Sequence, residues 1–99
     1  MSVNPLEPIE KNDPKLADYI EQERALAFEA GALSTKDKLL IAVAIDATQG
    51  AVNGVRSLTL KALDAGATKE EIMEALRVAE FICGAGSMYT AAAGLQDVL

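Results

Sequence analysis

The 99-residue chain has no histidine and no tryptophan, one cysteine, and only 4% aromatic residues. Without histidine there can be no Ser-His or Cys-His nucleophile, and the commonest general acid–base and metal-ligating side chain is missing. One cysteine, Cys83, excludes an intrachain disulfide, a CxxC dithiol and a cysteine zinc site. Positive charge is scarce as well: nine Lys and Arg stand against fifteen Asp and Glu, a formal charge of −6. So acidic a chain has no electrostatic footprint for a phosphate backbone, which argues against nucleic-acid binding. No apolar run approaches the roughly 20 residues that span a bilayer. The start Met1-Ser2-Val3-Asn4-Pro5 has neither the basic nor the apolar part of a secretory signal. The expectation is a cytoplasmic protein with no membrane association and no resident cofactor or metal. Its chemistry must rest on carboxylates, Lys, Arg, Tyr, hydroxyls or the single thiol.

Hydrophobic residues, by contrast, are plentiful at 51%, with mean hydropathy +0.17. A domain of this size hides only part of its chain surface, so surplus apolar residues point to burial against other copies. Little alternates with period two, whereas helix starts and stops recur, which predicts an all-α single domain of about five helices. Residues 1–12, with Pro5 and Pro8, read as an extended arm, and residues 13–99 as the domain. Asp13 is placed to cap a first helix, with Pro14 at its first position, running to about Ala30 and stopping at Gly31. Ser34 and Asp37 open a second helix through Leu39–Ile45. Gly50 and Gly54 precede a third, ending at Gly66. Thr68 and Glu71 form a capping box for a fourth, through about Cys83. Gly84-Ala85-Gly86 then breaks the chain, and Ser87 is placed to cap the last helix.

Helical spacing at about 100° per residue assigns the faces. On the fourth helix Ile72, Ala75, Leu76, Ala79 and Cys83 share one side. On the third, Ala51, Gly54, Val55, Leu58, Ala62 and Ala65 share a face, with Asn53, Arg56, Ser57, Lys61 and Asp64 towards the other. The second helix is apolar nearly all round over residues 39–45. It should sit centrally, against its own subunit and a neighbour.

From Leu33 to Leu95 the sequence resembles the carboxymuconolactone decarboxylase and alkylhydroperoxidase D-like proteins. The resemblance is carried by Gly31-Ala32-Leu33, by Lys36-x-Lys38-x-Leu40-Ile41-Ala42, and by Ala65-Gly66-Ala67-Thr68-Lys69-Glu70-Glu71-Ile72-x-Glu74-Ala75-Leu76. The Gly84-x-Gly86-Ser87 break and the Ala-rich last helix also fit. It implies a helical subunit assembled as a dimer, trimer or hexamer. Redox members of that family place a CxxC pair at the start of the helix that is third here. A histidine follows four residues after the second cysteine, and a glutamate precedes the first by a dozen. In this chain those positions hold Ala51, Gly54, Leu58 and Leu39, none of which ionises. The resemblance therefore implies the pocket wall without dithiol peroxidase or histidine-dependent decarboxylase chemistry.

Asp46 is the one formal charge between Lys38 and Arg56, and it falls about 20° from Leu39 on the helical wheel. One reading makes it a proton acceptor or substrate anchor between apolar walls; the other sends it to solvent or to Arg56. Glu23 lies among Leu16, Tyr19, Ile20, Ala27 and Ala30 on the first helix, and either approaches the pocket or bends to a rim partner such as Arg24. Cys83 reads as a small buried hydrophobe, and Met73, Met88 and Tyr89 as packing. Glu21-x-Glu23 and Glu70-Glu71 read as solvated or capping acids and not as metal ligands. The functions in view are a small-molecule-binding or non-catalytic oligomeric scaffold, and an enzyme rebuilt around Asp46 as a lyase or isomerase. The third is the alkylhydroperoxidase-like activity of the family.

Overall fold

The structure, a computed structural model, describes residues 4–99. Six helices follow in chain order: α1 (Glu7–Asn12), α2 (Pro14–Phe28), α3 (Thr35–Thr48), α4 (Val52–Asp64), α5 (Lys69–Cys83) and α6 (Gly86–Gly94). No strand occurs among the described residues. Three of the helix starts are fixed by the expected side chains. The Asp13 carboxylate accepts from the Leu16 N–H, Ser34 Oγ from Asp37 N–H, and Thr68 Oγ1 from Glu71 N–H, each at 3.0 Å. Glu71 returns the bond to the Thr68 N–H at 2.9 Å, completing a capping box that satisfies two helix-end donors at once.

α3 is the axis of the fold. It packs against α2, α4, α5 and α6, and its buried residues Leu39, Val43 and Ala47 follow one another every four positions. Val55 and Ala62 from α4, Ile72 and Leu76 from α5, and Ala91 from α6 close the core around them. A three-residue connection folds α4 back along α3, as short links between helices require. α6 meets α4 at close quarters: a Cβ added to Gly94 would stand 2.8 Å from the Val52 carbonyl oxygen and 2.8 Å from Val55 Cβ.

Four sequence expectations need correction. Residues 7–12 are a helix, not part of an extended arm, because Pro8 falls in the first turn, where its missing N–H costs nothing; residues 1–3 of that arm lie outside the described residues. α2 ends at Phe28, with Glu29 already extended, so the helix stops short of Ala30 and Gly31 is not its left-handed terminator. Ser87 lies inside α6, where its hydroxyl donates to the Gly84 carbonyl at 2.6 Å; Ala85 holds the cap position. Cys83 is exposed, as is Tyr89. α5 turns its buried face inward only as far as Ala79, so its last turn projects from the bundle.

The outward apolar side chains are numerous. Phe81 is 84% exposed and Tyr89 80%, with Val78 and Ile82 beside Phe81 on α5. On α3, Ile41 and Ile45 face away from Val43, and α2 buries none of its residues.

Candidate functional site

An open groove of about 740 Å³ lies between α2, α3 and α4. Its position follows from helix spacing. α3 presents Thr35, Leu39, Ala42 and Asp46, one side of a helix over three turns. α4 presents Gly54, Ser57, Leu58 and Lys61 at the matching three- and four-residue intervals. α2 lies across the top with Glu21, Arg24 and Phe28. Thr35 ties α3 to α2 there, its hydroxyl donating to the Phe28 carbonyl at 2.8 Å. The floor is hydrocarbon from Phe28, Leu39, Ala42 and Leu58, and the charges sit around it.

Asp46 and Gly54 meet at the end of the groove nearest the α3–α4 turn. An ideal Cβ at position 54 would overlap the Asp46 carboxylate, with Cγ 2.9 Å away. Glycine at this place in α4 is what gives the carboxylate room. The turn itself is organised on the same residue: the Asp46 carbonyl accepts from the Gln49 and Ala51 N–H groups at 3.2 and 3.0 Å. The Asp46 side chain is half-buried and has no hydrogen-bond or ion-pair partner among the described residues. Arg56, the partner that the solvent reading offered, donates instead to the Gln96 carbonyl at 2.6 Å, on the α6 side of α4.

The structure thus gathers Leu39, Asp46, Gly54 and Leu58 into one cavity wall. Ala51 is half-buried behind Gly54, its Cβ 3.5 Å from where a Cβ at 54 would stand, and is not part of the lining. Glu23 is exposed on α2, away from the groove; its neighbours Glu21 and Arg24 are the residues that reach it, 3.8 Å from one another.

Ser57 and Lys61 also face the groove and not the opposite side of α4. The signal was available: seven residues separate Gly54 from Lys61, which puts them about 20° apart on the wheel. Arg24 and Phe28 carried no comparable signal, because α2 has no buried face from which its orientation could be read.

Outside the groove, Lys36 and Glu71 pair at 2.8 Å and join the start of α3 to the start of α5. Hydrogen bonding to Glu71 raises the Lys36 ammonium above its ordinary value. The same bond, with the Thr68 N–H, lowers the Glu71 carboxyl.

An all-helical domain with an apolar groove between a central helix and its two flanking helices is the class these observations define. Comparison with known proteins narrows it: the chain matches the carboxymuconolactone decarboxylase family over residues 14–97 and belongs to that family. The fold is similar to the crystal structure of an apo carboxymuconolactone decarboxylase family protein from Legionella pneumophila. The two are 28% identical with a TM-score of 0.86, over 92% of this chain and 81% of the other. No functionally curated protein matches the chain.

Proposed function

We propose that this protein binds a small organic molecule in the α2–α3–α4 groove, as an oligomeric scaffold that has set aside the family's thiol and imidazole chemistry. The observation that carries this reading is the groove itself. Leu39, Gly54 and Leu58 stand where the resemblance places the ionising groups of redox members, and all three line a cavity of about 740 Å³. A volume in that range suits a small ligand, for which sites of about 300–1,000 Å³ are typical. The walls supply hydrophobic contact, while Asp46, Ser57, Lys61 and Arg24 supply orientation.

The assembly belongs to the same reading. Val78, Phe81 and Ile82 on α5 and Tyr89 on α6 are large apolar side chains left mostly exposed in the single chain, as expected of a surface that another copy covers. A homotrimer or hexamer covers them, and covers Cys83 with them. A lone unpaired thiol suits the cytoplasm, where disulfides are rare.

A second reading is favoured by one observation, the unpartnered Asp46 carboxylate over an apolar floor. There Asp46 would take a proton from a bound carbonyl or carboxylated substrate, as in a lyase or isomerase. One experiment separates these readings from the family's redox label, and a second tests the assembly. Purified protein given peroxide and a dithiol donor is expected to show no turnover above buffer; robust consumption would overturn the scaffold reading. Native mass measurement is expected to give a trimer or hexamer, and a stable monomer at micromolar concentration would refute the assembly.

A further inference from the structure

We propose that the ligand of the groove is a small organic amine, an apolar body carrying one protonated amino group seated on the Asp46 carboxylate. This rests on the ligand-binding reading above and adds the charge of the ligand. Asp46 is half-buried, and no donor of the protein satisfies it among the described residues. A carboxylate drawn partly out of water is stabilised most by a charged donor, since such bonds are the strong ones. The absence of a Cβ at Gly54 leaves the carboxylate nested against the α4 backbone.

The cations nearby leave Asp46 unpaired among the described residues. Arg56 is bound to the Gln96 carbonyl and Arg24 lies against Glu21. Lys61 lines the same groove but forms no ion pair with Asp46 among the described residues. Around the lining, Glu21, Glu29 and Asp46 outnumber Arg24 and Lys61. The chain as a whole carries −6, so its long-range field also draws in cations and repels anions. From Asp46 toward the far end of the groove, Leu58, Ala42, Leu39 and Phe28 offer contact to a ring or branched hydrocarbon and little else. A positive head and an apolar body are the complement of that surface.

The test uses three probes of one shape, 3-phenylpropylamine, 3-phenylpropan-1-ol and 3-phenylpropanoate. Each is titrated into the intact protein at neutral pH and low salt and followed by backbone amide NMR shifts. The amine is expected to bind about tenfold more tightly than the alcohol, as a charge-assisted bond requires, with shifts at Asp46, Gly54 and Leu58. Asp46→Asn, which keeps the shape of the side chain, is expected to bring the amine-to-alcohol ratio close to one. Glu74→Gln, an exposed change on α5, is expected to leave that ratio intact and so controls for overall charge. An alcohol or carboxylate that binds as tightly as the amine overturns the proposal while leaving a ligand-binding groove. A ratio that survives Asp46→Asn also overturns it. Failure of all three probes to shift any groove residue overturns both this inference and the reading beneath it.

Discussion

The Asp46 carboxylate occupies the space that a side chain at position 54 would need, so that Asp46 and Gly54 form one interlocked pair across α3 and α4. The consequence is a coupled effect of mutation. Inside a helix, Gly→Ala ordinarily stabilises by about 1 kcal/mol. Here Gly54→Ala must first push the Asp46 carboxylate aside, so the gain is expected to vanish or reverse in the natural chain. In an Asp46→Ala background the obstacle is gone, and Gly54→Ala is expected to stabilise by about 1 kcal/mol. Urea denaturation of the four proteins in the cycle checks this; equal effects in both backgrounds would contradict the interlock.

Gly94→Ala offers no such escape. Its Cβ would meet the Val52 carbonyl and Val55 Cβ, atoms of the backbone and core of α4 rather than a movable side-chain end. α4 and α6 must separate, and a loss of about 1–3 kcal/mol is expected from overpacking. Thermal unfolding measures it. A variant as stable as the natural chain would show that the two helices are not held in this contact.

Thr59 is fully buried in α4, and its hydroxyl oxygen has no hydrogen-bond partner among the described residues. An unsatisfied buried polar atom loses its water without recompense. Thr59→Val keeps the shape, removes the oxygen, and is expected to stabilise the fold by about 1 kcal/mol in equilibrium unfolding. Destabilisation by Val would mean that the hydroxyl finds an acceptor within its own helix, such as the Val55 carbonyl four residues back.

The Lys36–Glu71 pair sets two pH limits. The lowered Glu71 carboxyl contributes stability that is complete above its ordinary value of 4.5 and lost as pH falls through the folded value. The raised Lys36 ammonium contributes stability that is complete below 10.5 and lost as pH rises through the folded value. Glu71→Gln preserves the capping-box geometry but removes the charge. It is expected to flatten both the acid and the alkaline limb of the stability–pH curve. Unchanged limbs in the variant would assign the pH dependence to other groups.

Much of the architecture was legible from local chemistry. Asp13, Ser34 and Thr68 cap the helices they were expected to cap, because a cap depends only on a side-chain oxygen and the next three residues. The apolar spacing of Ile72, Leu76 and Ala79 identified the buried face of α5 for the same reason, whereas α3, apolar nearly all round over residues 39–45, showed no single inner face until its neighbours were in place. Periodicity also placed Asp46 beside Leu39 and, read through to the end of α4, would have placed Lys61 beside Gly54. It failed at Cys83 and Tyr89, whose apolar character suggested burial that a single chain does not provide.

The amino-acid sequence by itself determined helices α2 to α5, the caps Asp13, Ser34 and Thr68, the inner face of α5 and the lack of a dithiol or imidazole, since each depends on residues within one or two turns of each other. Only the tertiary structure decided that α2 lies over α3 and α4, bringing Arg24 and Phe28 to a groove with Asp46 and Lys61. It alone decided that Arg56 turns to Gln96, so that Asp46 has no ion-pair partner among the described residues. Those outcomes depend on how separate helices cross, and a crossing is settled by the summed packing of both surfaces, not by the spacing along either one.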